Sequence, residues 1–211
     1  MPRTSCVRRW QCCAAAWKLR CADLAMKRSY AGRWKRRWKD CHRLVELLLT
    51  LARSDAGELA CVRGPVNIHT LLLQLVSLYE GVASERELVL QLDCDSQLTI
   101  STDVLLLHRA VANLLDNACK FALPGGTVCL QATQFDEALW LRISDNGPGF
   151  VEPDPERLFE RFYRCESHRG VVDGFGLGLP LVRELVRVLG GAVSLRRLDS
   201  GGTEAAIRLP V

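Results

Sequence analysis

The chain contains no run of about 18 uncharged apolar residues, so no membrane-spanning helix is expected. It has no C-x-x-C pair and no paired His/Cys spacing, which argues against a zinc site. No G-K-[ST] follows any of its glycine clusters, so it carries no P-loop. A secretory leader is not expected from the first residues either. The start, "MPRTSCVRRWQCCAAAWKLR", is basic and then small and apolar, but Lys18, Arg20 and two tryptophans interrupt it. Ten cysteines are present, yet they are scattered. Cys119 and Cys129 fall inside expected regular elements, where a thiol acts as a small apolar side chain, and reduced thiols are expected.

The net charge of +4 conceals an asymmetry. Residues 1–40 hold 12 Lys/Arg against 2 acidic residues, leaving 16 basic and 22 acidic residues for the rest, a net of −6. The body is therefore acidic, and whole-chain basicity is no argument for nucleic-acid binding. Four of the five tryptophans also lie in the first 39 residues, which show no sustained periodicity. Their Trp, Arg and Cys enrichment is that of a GC-rich gene read out of frame, and the segment is expected to be poorly ordered. The competing reading is an interaction arm for nucleic acid or membrane, with aromatics set between cations.

Regular patterning begins near Cys41. Leu44, Leu47, Leu48 and Leu51 keep the i, i+3, i+4, i+7 spacing of a helix that Gly57 ends. Such a stripe would normally pair with another helix, and it is expected here to be exposed. "ACVRGPVNI" reads as a strand, "HTLLLQLVSLYEGVASER" as a helix, and "ELVLQLD" and "QLTI" as strands. A long helix follows, opened by Thr102-Asp103 and broken by Pro124-Gly125-Gly126. "TVCLQATQF" and "ALWLRISDN" form a hairpin, "PERLFERFYR" a short helix, "HRGVVDGFGLG" a flexible connection and "LPLVRELVRVLGG" a helix. "AVSLRRL" and "TEAAIRLPV" close as a strand pair around a Gly-Gly turn. This order predicts an α+β fold, a two-layer sandwich with one mostly antiparallel sheet and helices on one face.

Four stretches carry the candidate chemistry. In "HRAVANLLDNACKF", helical spacing places Asn113, Asn117 and Lys120 on one line, away from Val111, Leu114, Leu115 and Ala118. A wet helix face would explain that line, but asparagine is a mediocre helix former and two in register need a reason. In "DNGPGF", Gly147 and Gly149 let the backbone turn beside Asp145, a carboxylate able to accept from an exocyclic amine. In "DGFGLGLPLVREL", Gly174, Gly176 and Gly178 precede a helix whose N-terminal N–H groups can seat an anion. The spacing is G-x-G-x-G and follows no strand, so it is not a dinucleotide fingerprint. In "GGTEAAIRL", Thr203 follows two glycines in a hairpin turn. A hinge and two ordinary turns would account for these last three taken singly.

Together, in this order, the motifs and "LFERFYR" resemble the catalytic ATP-binding domain of sensor histidine kinases, in the GHKL ATPase superfamily. The resemblance covers roughly residues 60–211. Residues 40–59 look like the second helix of that family's dimerisation and phosphoacceptor domain, and residues 1–39 stand apart as the atypical segment. The resemblance implies a Bergerat-type ATP-binding fold, with ATP and Mg²⁺ as cofactors and a cytoplasmic location, although intact family members are often membrane-anchored. It implies that Asn117 ligates Mg²⁺, and that Asn113 supports phosphates or an ordered water. Lys120 would neutralise phosphate charge, and Phe121 would pack near the nucleotide. Asp145 would read adenine, with Gly147 and Gly149 giving it room. Gly174, Gly176, Leu177, Gly178 and Leu179 would form the phosphate seat, with Thr203 near the adenine end. Arg161 and Arg164 would flank the lid, Arg164 being the better candidate for a γ-phosphate contact.

Gyrase-like, MutL-like and Hsp90-like members carry a glutamate at the position of Asn113, as the base that activates water. An amide cannot serve as that base, so the resemblance implies phosphoryl transfer, with Asn113, Lys120 and Arg164 as the catalytic candidates. The family's acceptor histidine lies in an H-E/D-x-x-x-P context, and none of His42, His69, His108 and His168 matches it. Efficient autophosphorylation of this chain alone is therefore not expected. The implied partners are ATP, a homodimer partner and a response-regulator receiver domain, with no nucleic acid. The alternatives are a nucleotide-binding regulatory module without kinase output and a basic N-terminal interaction protein.

Overall fold

The computed structural model describes residues 44, 45, 47–165 and 175–211. The expectations for residues 1–39, for His42 and His168, and for Gly174 lie outside these residues. Residues 47–211 form one compact unit. It begins with a helix over residues 47–55 (α1). Strand β1 (Gly64–Asn67), helix α2 (Ile68–Glu85), strands β2 (Val89–Cys94) and β3 (Thr99–Thr102) and helix α3 (Val104–Phe121) follow. The hairpin β4 (Thr127–Phe135) and β5 (Ala138–Asp145), helix α4 (Gly178–Val188), and strands β6 (Ala192–Arg197) and β7 (Thr203–Pro210) complete it.

The main sheet has the order β2-β4-β5-β7-β6. Only β2 and β4 run parallel; the other neighbours are antiparallel. The α+β sandwich is as expected, but the prediction of one sheet needs correcting. β1 and β3 pair only with each other, Gly64 opposite Thr102 and Asn67 opposite Thr99. They are four residues each and brace the starts of α2 and α3 rather than widening the main sheet. The segment around "PERLFERFYR" also differs: only Pro155–Phe159 is helical, as a 3₁₀ turn. Asp154 caps it and Pro155 opens it, and Arg183 of α4 lies 4.1 Å from the Phe159 ring centroid.

Alternation along the central strands explains the layering. Val128, Leu130 and Ala132 of β4 and Leu139, Leu141 and Ile143 of β5 point to one side and are buried. α2, α3 and α4 lie on that side and bury Leu72, Leu75, Leu107, Leu115, Leu181 and Leu185. On the other face, Trp140 carries the guanidinium groups of Arg142 and Arg208 at 5.4 and 5.8 Å from its ring centroid. The β4–β5 turn uses Asp136 and Glu137, both at positive φ, as a two-residue hairpin of this twist demands.

The leucine stripe of α1 is not simply exposed. Leu48 is 41 % exposed, but Leu47 and Leu51 are buried, which corrects the expectation for those two residues. The end of α1 is tied to α4: Ser54 Oγ donates to Glu184 at 3.0 Å, and Arg187 donates to Ser54 at 3.4 Å. Gly57, at φ +70°, ends the helical turn, and Glu58 N–H returns to the Arg53 carbonyl at 2.9 Å.

Asp103 fixes where α3 starts. Its Oδ1 accepts from the N–H groups of Leu105 and Leu106 at 2.9 and 3.0 Å, and its Oδ2 from Val62 N–H at 2.8 Å. The group is buried, so truncation leaves three backbone donors without their acceptor. Asp103→Ala is expected to cost about 2–3 kcal/mol in urea unfolding. A loss below ~0.5 kcal/mol would show that the cap is dispensable.

Candidate functional site

Three backbone segments converge at the C-terminal end of β5. Asp145 is the last residue of that strand and is 7 % exposed. Its Oδ1 accepts from Gly147 N–H at 2.8 Å, and Thr203 N–H also donates to the carboxylate. Burial pushes the Asp145 carboxyl above its ordinary range, and the two amide donors hold it partly down. A Cβ at Gly147 would lie 2.3 Å from the Phe121 carbonyl oxygen, and one at Gly202 would lie 1.9 Å from the Asp145 carbonyl oxygen. Neither position admits any other residue without backbone movement. Gly149, at φ +68°, in turn backs onto the Gly202 carbonyl, 2.8 Å from where its Cβ would stand. The end of α3, the β5 loop and the β6–β7 turn are thereby locked around one buried carboxylate.

A second grouping lies on α3 and α4. Asn113 Nδ2 donates to the Arg109 carbonyl at 2.8 Å, which fixes the amide's orientation. The Cβ position of Gly178 lies 3.8 Å from Asn113 Oδ1 and 3.9 Å from both Oδ1 and Nδ2 of Asn117. Gly178 is the first residue of α4, and its cap residue Leu177 provides no side-chain hydrogen bond to the helix N-terminus. Two neutral amides thus face N–H groups at the positive end of a helix dipole, with no side chain at 178 to fill the space between. That arrangement suits an anion and a hard cation together.

The other predicted residues are placed as follows. Lys120 pairs with Asp116 at 2.7 Å, one turn earlier on α3, so its charge is already shared. Phe121 is half-buried at the helix end. Thr203 opens β7 opposite Arg197. Gly176 is at φ +67°, its carbonyl accepts from Phe162 N–H at 2.9 Å, and a Cβ there would meet the Tyr163 carbonyl. Leu177 is buried, Leu179 half-buried and Arg164 half-buried. Arg161 does not join the group: its guanidinium holds Asp55 of α1 at 2.7 Å, and that bond lowers the Asp55 pKa. His69 and His108 sit in α2 and α3, both half-buried.

One contributor was read only as part of a hairpin turn, and another escaped the motif-based reading. Gly202 is the closest backbone approach to Asp145, and the doubled glycine of the turn was its only signal. Arg86 donates to the last carbonyls of α3, and nothing in the local pattern around "SERE" marks it.

A two-layer domain with a buried acceptor carboxylate at a strand end, and paired amides opposite a helix N-terminus, is a nucleotide-binding domain. Comparison with known proteins carries this further. Residues 102–211 match the profile of the histidine kinase-, DNA gyrase B-, and HSP90-like ATPases. The chain is 35 % identical over 172 residues to the sensor protein CiaH of Streptococcus pneumoniae, covering 80 % of this chain and 38 % of CiaH. It is 31 % identical over 170 residues to the histidine-protein kinase BaeS of Escherichia coli, covering 80 % of this chain and 36 % of BaeS. The chain therefore spans less than two-fifths of these relatives. Among solved structures, full-length ShkA in complex with AMPPNP superposes with a TM-score of 0.70 at 33 % identity, covering 80 % of this chain and 35 % of ShkA. The Acinetobacter baumannii histidine kinase AdeS shares the fold at a TM-score of 0.69 and 22 % identity, covering 80 % of this chain and 77 % of the AdeS chain. The chain belongs to the histidine kinase-, DNA gyrase B-, and HSP90-like ATPase family, and within it carries the ATP-binding catalytic module of a sensor histidine kinase.

Asp145→Asn tests the carboxylate. Because the folded pKa is raised, ionised Asp145 costs stability above that pKa, and the cost vanishes as pH falls below the unfolded value of 3.8. The variant is therefore expected to melt within about 3 °C of wild type at neutral pH. ADP affinity, measured by calorimetry, is expected to fall about 10- to 100-fold, the worth of a hydrogen bond to a charged acceptor. Wild-type affinity should weaken as acidification protonates Asp145, and the variant should not show that dependence.

Proposed function

We propose that this module holds Mg²⁺-ATP for transfer of the γ-phosphoryl group to a histidine rather than for hydrolysis. The observation that carries the proposal is the pair Asn113 and Asn117 facing Gly178. An amide at 113 cannot take a proton from water, and the catalytic work left to the domain is positioning and charge neutralisation. Adenine is held by Asp145, whose remaining acceptor capacity suits an exocyclic amine. Gly147 and Gly149 keep its approach open, with Phe121 and Thr203 beside it. The phosphates lie against the N-terminus of α4, over Gly176, Leu177, Gly178 and Leu179.

The donor set fits a magnesium ion: the Asn117 side-chain oxygen is a hard, neutral ligand that adds no negative charge beside a triphosphate. When bound, the ion neutralises phosphate charge. Asn113 supports phosphate or ordered water, Lys120 supplies a cation once it shares Asp116, and Arg164 reaches the γ-phosphate. The acceptor histidine, a second copy of the chain and a receiver domain are the macromolecular partners this reading calls for, in the cytoplasm. A second reading is nucleotide binding without kinase output, since none of the four histidines of this sequence stands in an H-E/D-x-x-x-P context.

Calorimetry with a non-hydrolysable ATP analogue tests the first reading. Magnesium is expected to tighten wild-type binding, and Asn117→Ala to lose about tenfold of that gain while keeping its magnesium-free affinity. Equal magnesium dependence in the two proteins would remove Asn117 as the ligand. Phosphoryl transfer to a supplied acceptor domain separates the two readings. Label on the acceptor supports the kinase, and nucleotide binding without label supports the regulatory module.

A further inference from the structure

α3 carries the nucleotide-facing amides, and its C-terminus needs an unusual finish. The helix ends without a left-handed glycine: its cap, Ala122, has φ −54° and ψ 145°. Ala122 N–H closes onto the Ala118 carbonyl at 2.9 Å, but the later carbonyls of the helix have no intrahelical donors. The chain supplies those donors from a distance of more than 30 residues. The Arg86 guanidinium donates through Nη1 to the carbonyls of Cys119 and Lys120, the latter at 2.6 Å, and through Nη2 to that of Ala122 at 3.2 Å. A cation at this position also opposes the negative end of the helix dipole.

The backbone of Arg86 adds a second hold. Its carbonyl accepts from Gly125 N–H at 3.2 Å, and Val89 N–H donates to the Gly126 carbonyl at 2.9 Å. The turn from α3 to β4 is thus strapped to the α2–β2 connection at both ends. The residue skipped by the guanidinium is Phe121, whose carbonyl oxygen faces Gly147 with no room for a Cβ. Gly147 N–H in turn holds Asp145. A continuous run of polar contacts and close packing therefore leads from Arg86, through the last turn of α3, to the buried carboxylate.

We propose that Arg86 is a positioning residue for the nucleotide: its guanidinium sets the axial position of α3's last turn, and with it the spacing between Phe121, Gly147 and Asp145. The proposal rests on the assignment of Asp145 to adenine. Arginine is suited to the task because its planar fork reaches several carbonyls at once, whereas a lysine ammonium acts as a point charge. Removing the fork lets the end of α3 drift relative to the β5 loop. The damage falls mainly on the base end of the ligand, because Asn113 and Asn117 lie further up α3 and Gly178 opens α4, so that of the phosphate-end residues only Lys120 stands on the loosened turn.

The test compares Arg86→Met and Arg86→Lys with wild type, using adenosine and inorganic triphosphate as separate calorimetric probes well below each protein's melting temperature. Adenosine affinity is expected to fall about tenfold in Arg86→Met and to recover partly in Arg86→Lys, with triphosphate affinity falling less than about threefold in both. Amide hydrogen exchange over residues 118–126 should accelerate in the same order. A lower melting temperature with both affinities unchanged would reduce Arg86 to a structural cap and overturn the proposal, as would equal losses for both probes. If Arg86→Met does not fold, Arg86→Lys alone decides: adenosine affinity equal to wild type overturns it, and a selective loss supports it. Wild type failing to bind adenosine, or binding it undiminished after Asp145→Asn, would instead strike the adenine assignment itself.

Discussion

The constraint on which the site depends is steric: two backbone carbonyls, those of Phe121 and Asp145, approach glycine Cα atoms too closely for any side chain. This contact between α3, the β5 loop and the β6–β7 turn brings elements from distant parts of the chain to one carboxylate. Burying Asp145 there raises its pKa, so the fold carries a standing electrostatic cost at neutral pH. A carboxylate kept buried at such a cost is a candidate for binding rather than for stability. The Gly147 and Thr203 amides offset part of it without using up the carboxylate's acceptor capacity.

The two halves of the site follow different physics. At the end proposed for adenine, the acceptor is a rigid, buried carboxylate held by backbone donors. At the end proposed for the phosphates, the components are a helix N-terminus without a side-chain cap and two neutral amides, a set suited to a highly charged ligand and its counter-ion because it adds no charge of its own. In the proposed function, the same neutrality at residue 113 favours transfer over hydrolysis. A base there would activate water beside the γ-phosphate, and an amide leaves the phosphoryl group for another acceptor.

Much of this was legible in the sequence because it rests on local patterns. The 3.6-residue period located α2, α3 and α4, alternation located the β4–β5 hairpin, and Asp103 marked the start of α3. The glycines at 147 and 149 announced a sharp backbone turn beside Asp145 before any geometry was known. What escaped was non-local. Arg86 looks like an ordinary polar residue after a helix, since its value comes from carbonyls more than 30 residues away. Arg161 reads equally well as a phosphate ligand or as a surface cation, and only the fold pairs it with Asp55. The separation of β1 and β3 from the main sheet was hidden for the same reason, as short alternating strands do not declare their partners. The burial of Leu47 and Leu51 depends on α1 being tied to α4 through Ser54 and Glu184, which no periodicity could foretell.

The central claim is that one ligand touches both the Asp145 loop and the amide line of α3. Amide and side-chain NMR shifts during titration with a magnesium-loaded ATP analogue test it directly. The account predicts that the largest shifts fall together on Gly147, Thr203, Gly178 and the Asn117 side-chain amide, saturating with one affinity. Shifts confined to the Trp140 face of the sheet, or saturating separately at the two ends, would contradict it.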